Sequence, residues 1–125
     1  MEKLVIEKTD TTPEVLFDPE KGTFKITGRS IPLNPKRFYS PVLDWIAVYI
    51  QDPNSETVLE VYMDYFNTAS TFLITDIIRQ YKKGLEGKNL SIKWFHDIGD
   101  DDVLEIAGNM ESVTGIKFEY HEVED

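Results

Sequence analysis

The sequence predicts a single two-layer α/β domain, a mixed β-sheet of about six strands with three helices on one face. Three observations lead there. Several segments alternate apolar and polar residues with period two, as half-buried strands do. Three others carry apolar residues at helical spacing. Their order places strands first and then helix and strand by turns, which calls for hairpins followed by parallel crossovers. A chain of 125 residues suits one domain spanning 1–125, with a core large enough to need no staple. It contains no cysteine, which fits a reducing compartment.

Leu4 and Ile6 begin the set as the weakest strand. Val15 and Phe17 alternate with Glu14, Leu16 and Asp18, and Phe24 and Ile26 with Thr23, Lys25 and Thr27. Asp18-Pro19-Glu20-Lys21-Gly22 supplies the turn between them. Ser40-Pro41 reads as a capping serine with proline at the first helical position, opening a helix that runs through Val42, Leu43, Trp45, Ile46, Val48, Tyr49 and Ile50 to Gln51. An earlier helical turn can start at Asn34-Pro35.

Leu59, Val61, Met63 and Tyr65 then alternate with Val58, Glu60, Tyr62 and Asp64. A second helix is expected over 69–83, with Leu73, Ile74, Ile77, Ile78 and Tyr81 as its apolar stripe, Lys82 and Lys83 in its last turn and Gly84 closing it. Leu90, Ile92 and Trp94 mark a strand. A third helix is expected over 101–113, with Leu104, Ala107 and Gly108 inward and Gly115 at its end. Ile116, Phe118 and Tyr120 close the set, and 121–125 reads as a frayed acidic tail. Strands buried on both faces would read as continuous apolar runs, and these do not. One sheet face is therefore expected to be wet and to carry Tyr62, Phe66 and Phe95, either as a partner surface or beneath a loop.

The formal net charge is −10, which disfavours nucleic acid and anionic membranes and favours a protein partner with a basic face. No apolar run approaches the ~20 residues of a membrane helix. The opening MEKLVIEKTD alternates charged and apolar residues and lacks a signal-peptide core, so a cytoplasmic location is expected. Asn89-Leu90-Ser91 matches a glycosylation sequon, and without a secretory signal it reads as chance.

Candidate catalytic features are few. Asp100, Asp101 and Asp102, with His96 and Asp97 upstream, raise the question of a metal. Their spacing does not fit a calcium loop, and aspartates at a helix start complement its dipole. His96 and His121 fall in no nucleophile or zinc pattern. Gly28-Arg29-Ser30 lacks the glycines of a phosphate loop. The expectation is no catalytic residue, no metal and no cofactor.

The stretch DYFNTAST, residues 64–71, stands apart. It lies between a strand pattern and a helix pattern and is rich in hydroxyls. Asn67 or Thr68 can cap the helix, worth about 1 kcal/mol. Alternatively a hydroxyl here is modified. A phosphate adds roughly −1.5 to −2 charges and is favoured at a helix N-terminus. Spacing alone leaves both readings open.

Five pieces of the sequence resemble the SiaC-like regulatory phosphoproteins of bacteria over nearly its whole length. Thr12-Pro13-Glu14-Val15 with Phe17-Asp18 is similar to the family's opening. Ile26-Thr27-Gly28-Arg29-Ser30, then proline and Asn34, resembles its GRSYPEN segment. Phe38-Tyr39 with Pro41 and Trp45 resembles the following helix. Tyr65-Phe66-Asn67-Thr68-Ala69-Ser70 resembles its YFNTSS motif, and Trp94 with Asp100-Asp101-Asp102, Glu105 and Gly108 its acidic stretch. Ile31, Leu33, Ala69 and Ile98-Gly99 depart from the pattern.

The resemblance implies a signalling adaptor and not an enzyme. Thr68 would be phosphorylated by a dedicated Ser/Thr kinase and dephosphorylated by a PP2C-type phosphatase. The unphosphorylated form would bind and regulate a diguanylate cyclase, linking the switch to cyclic di-GMP and biofilm formation. Arg29, Ser30, Asn67, Ala69 and Ser70 would form the partner- or phosphate-binding surroundings. The architecture is also similar to the STAS fold of anti-sigma-factor antagonists, which places a phosphorylatable hydroxyl at a helix start after a strand. Two readings compete with this one. One is a constitutive scaffold in which the turn is only a cap, and the other is a small enzyme using residues 96–102.

Overall fold

The computed structural model describes residues 1–124. Its elements are β1 (Leu4–Ile6), β2 (Glu14–Asp18), β3 (Thr23–Ser30), α1 (Pro35–Tyr49), β4 (Glu56–Phe66), α2 (Thr68–Gly84), β5 (Asn89–Asp97), α3 (Asp101–Thr114) and β6 (Glu119–Val123). The six strands lie in chain order in one sheet. β1, β2 and β3 pair antiparallel, and β3 to β6 pair parallel. Each parallel step needs a crossover, and right-handed crossovers that all advance the same way put their helices on the same face. The mixed six-stranded sheet with three helices matches the sequence expectation.

Burial follows the alternation. Val15, Phe17, Phe24, Ile26, Leu59, Val61, Ile92 and Trp94 face the helices and are buried. Val42, Ile46 and Tyr49 of α1, Ile74, Ile77, Ile78 and Tyr81 of α2, and Val103, Ala107 and Met110 of α3 meet them. Each buried Val, Leu, Ile, Phe or Met among them stabilises the fold by roughly 1.5–3 kcal/mol on leaving water. Aromatic rings from both layers interlock at the centre, with Phe24 5.1 Å from Tyr49 and Phe17 5.8 Å from Tyr81.

Several local expectations need correction. α1 takes the earlier of the two expected starts, at Pro35 with Asn34 as its cap, whose Oδ1 accepts the Arg37 N–H at 3.1 Å, and not the one at Ser40. Pro41 lies inside the helix. It sits on the exposed side, where the carbonyl it leaves unbonded can meet water. Gly84 ends α2, but Leu85 is the cap residue. The glycine is there for space, because a Cβ would lie 2.5 Å from Ile50 Cβ. In α3 the inward residues are Val103, Ala107, Met110 and Thr114, while Leu104 and Gly108 are only half-buried. Gly115 does close α3, with φ of 73°. Residues 121–123 of the expected tail belong to β6, where Glu122 pairs with His96 and Val123 with Asp97. Asp125 lies outside the described residues.

The most consequential correction concerns β4. Gly28 stands beside Met63, but Arg29 stands beside Tyr65, so β4 holds one extra residue, Asp64. This bulge reverses the alternation. Phe66, expected on the wet face, turns inward and is 5 % exposed, while Tyr65 turns outward and is 53 % exposed.

Candidate functional site

The bulge delivers the DYFNTAST segment to the carboxyl end of the parallel strands, where α/β sheets commonly bind their ligands. Asn67 N–H donates to the Ser30 carbonyl at 3.1 Å and fixes the end of β4 against β3. Asn67 then caps α2, its Oδ1 accepting the Ser70 N–H at 2.9 Å. The capping duty therefore belongs to Asn67 and leaves Thr68 without it.

The hydroxyls of this turn divide sharply. Ser70 is fully buried and donates to the Ser30 carbonyl at 3.1 Å. The Ser30 hydroxyl donates to Ser70 Oγ at 2.8 Å and lies 2.6 Å from Tyr39 Oη. With Ser30 donating to Ser70, the Tyr39 phenol donates to Ser30. Burial pushes the Tyr39 phenol up to about 12, against a smaller lowering by the Ser30 hydrogen bond. This chain of hydroxyls ties β3, α1 and the first turn of α2 together. Thr71 is half-buried and donates to the Asn67 carbonyl at 3.1 Å. Thr68, at the first helical position, is exposed. Among the described residues it is the exposed serine or threonine hydroxyl of the turn.

The surroundings assigned from sequence separate in the same way. Ser30 and Ser70 are interior, so the expectation that they meet a partner or phosphate fails on burial. Asn67 is half-buried and structural, and Ala69 is exposed. Arg29 is half-exposed on β3 beside Tyr65, with its guanidinium 3.7 Å from the Asp64 carboxylate. It thus shares the sheet end with the start of α2.

Reading by sequence missed the exposed apolar groups at the sheet end that carries Thr68. Leu33 follows β3, Tyr65 is the next-to-last residue of β4, Phe72 lies one turn beyond Thr68, and Ile98 follows β5. All four are exposed, Phe72 by 67 %. The signal for Tyr65 was the aromatic doublet Tyr65-Phe66, which cannot keep a strict alternation. Beside them a cleft of about 470 Å³ is lined by Asp64, Asp100, Asp102 and Glu105 together with Phe66, Val103 and Ile106.

The cluster at 96–102 does not converge. His96 is buried on the helix side, its ring 6.4 Å from that of Tyr120. Asp97 points to the other face and accepts the Tyr62 hydroxyl at 2.5 Å. Asp100 caps α3 through the Val103 N–H at 3.3 Å, and Asp101 and Asp102 occupy its first turn. Among the described residues no group of three or more acidic or histidine side chains is placed to hold a metal. No helix among them is long and apolar enough to cross a membrane.

Residues 6–123 match the family described as SiaC family regulatory phosphoprotein. The chain belongs to that family. An uncharacterised protein of Pseudomonas aeruginosa is 28 % identical over 108 residues, covering 86 % of each chain. The solved structure of SiaC of Pseudomonas aeruginosa is 25 % identical and superposes with a TM-score of 0.85, covering 98 % of this chain and all of that one. A chain in the crystal structure of the diguanylate cyclase SiaD in complex with its activator SiaC, from the same organism, is also 25 % identical. It superposes with a TM-score of 0.87 over 96 % of this chain and 99 % of its own.

Proposed function

We propose that this SiaC family member is a non-enzymatic partner-switching adaptor, reversibly phosphorylated on Thr68, whose unphosphorylated form binds and activates a diguanylate cyclase in the cytoplasm. The observation that carries the reading is the exposure of Thr68 beside a buried, fully bonded Ser70. A kinase can reach the first hydroxyl without opening the fold and cannot reach the second. The activator role is supported by the likeness to the Pseudomonas aeruginosa activator in its cyclase complex.

In the unmodified state Thr68 is a small neutral group at the sheet end that also exposes Tyr65, Phe72 and Leu33, a surface that a partner covers at little desolvation cost. A phosphate there carries roughly two charges that the partner must strip of water. The free N–H groups at the start of α2 favour the phosphate within the adaptor. Arg29 supplies a second interaction by exchanging Asp64 for the phosphate. Phosphorylation therefore stabilises the free form and weakens the complex. A Ser/Thr kinase and a PP2C-type phosphatase complete the cycle.

Calorimetric titration against the cognate cyclase tests this. Thr68→Ala keeps the affinity of the unmodified protein, and Thr68→Asp weakens it by at least about ten-fold, or 1.4 kcal/mol. Equal affinity for the two variants sinks the switch. The scaffold reading predicts that equality.

A further inference from the structure

The helices cover one face of the sheet, and no helix of the described residues lies over the other. β3 to β6 are parallel neighbours. Parallel sheets occur almost only with both faces covered, so this face, which beyond the aromatic row meets Lys8 of the β1–β2 loop beside Thr27, Tyr62 and Asp97, asks for an occupant. Its residues stand in rows that the strand register defines. One row reads Lys25, Glu60, Lys93, Glu119 from β3 to β6. The next reads Thr27, Tyr62, Phe95, His121. Phe95 stacks on His121 with ring centres 4.9 Å apart and lies 6.4 Å from Tyr62.

We propose that this face binds a second copy of the chain, about a two-fold axis running along the strands between β4 and β5. Such an axis lays each row on its own reverse. The charge row alternates plus, minus, plus, minus, so every charge then meets its opposite. Lys25 faces Glu119 of the second copy, and Glu60 faces its Lys93. The aromatic row brings Tyr62 over Phe95. Aligned sheets pack about 10 Å apart, within reach of these long side chains.

The face can approach its like although the chain carries −10. Three of its cations are balanced locally, Lys25 by Glu14, Lys93 by Glu119 and Arg29 by Asp64, which leaves Glu60 and Asp97 as its excess charge. Asp64 and Asp97, beyond the aromatic row, meet like charge and limit the contact in that direction. The two copies leave their α2 starts on the outside, so the dimer presents Thr68 twice.

Sedimentation velocity from low micromolar to millimolar protein tests the proposal, with circular dichroism to verify each fold. The native chain shows a concentration-dependent monomer–dimer equilibrium. Lys93→Glu places like charges together at two symmetric contacts and weakens the dimer at least ten-fold. Adding Glu60→Lys gives the row plus, plus, minus, minus, which is again complementary to its own reverse, and restores the dimer. A native chain that stays monomeric overturns the proposal. So does a Lys93→Glu variant that dimerises like the native chain, or a double variant that folds and does not recover.

Discussion

Ser70 and Thr68 are two hydroxyls in one turn of one helix, and they have opposite fates. Ser70 is closed in the interior and exchanges hydrogen bonds with Ser30, which also meets Tyr39. Thr68 is exposed at the first helical position. The difference teaches that position relative to the sheet, and not residue type, separates an anchor from a switch. Two residues along a helix amount to a rotation of roughly 200°, enough to carry a side chain from the core to solvent.

The same substitution at both positions gives the largest contrast. Ser70→Asp places a carboxylate in a buried site with no cation among its partners, and is expected to cost more than about 3 kcal/mol or to abolish folding. Thr68→Asp stands at an exposed helix start whose dipole favours it, and is expected to stay within about 1 kcal/mol of the native chain. Denaturant unfolding of both variants checks this, and equal losses would erase the distinction.

A milder change sharpens the inside half. Ser70→Ala removes one member of the hydroxyl chain and leaves the Ser30 O–H without its acceptor while Tyr39 still donates to it, at about 1–3 kcal/mol. Removing Tyr39 Oη with Tyr39→Phe is expected to cost about 1 kcal/mol.

The Tyr39 phenol also sets a pH signature. Its folded pKa, about 12, lies above the 10.0 of an ordinary tyrosine. A raised pKa means that the stabilisation is fully present below the unfolded value and is lost as pH rises through the folded one. Stability is therefore expected to fall between pH 10 and 12. Burial raises Tyr81 well above its ordinary value in the same direction, so the slope is shared. Unfolding free energies across this range show a shallower decline for Tyr39→Phe, and an unchanged slope would remove Tyr39 from the explanation.

The smallest effect belongs to Thr68→Ala. With Asn67 doing the capping, its stability is expected to lie within about 0.5 kcal/mol of the native chain. A loss near 1 kcal/mol in thermal unfolding would mean that Thr68 shares the cap.

The sequence by itself determined the layer architecture, because period-two and helical patterns report which side of each element is apolar. It also located the turn that carries Thr68 and the glycine that ends α3. It could not show that Asn67 is the cap and Thr68 is not, since both residue types cap helices equally plausibly by composition. It misassigned Phe66, because the extra residue Asp64 becomes visible only when β3 lies beside β4. Ser30 and Ser70, 40 residues apart, read as surface hydroxyls until the fold closed them on each other. Local periodicity is written in neighbouring residues. Register, burial of a single hydroxyl and the gathering of Leu33, Tyr65, Phe72 and Ile98 at one sheet end depend on segments distant in sequence, and only the tertiary structure decided them.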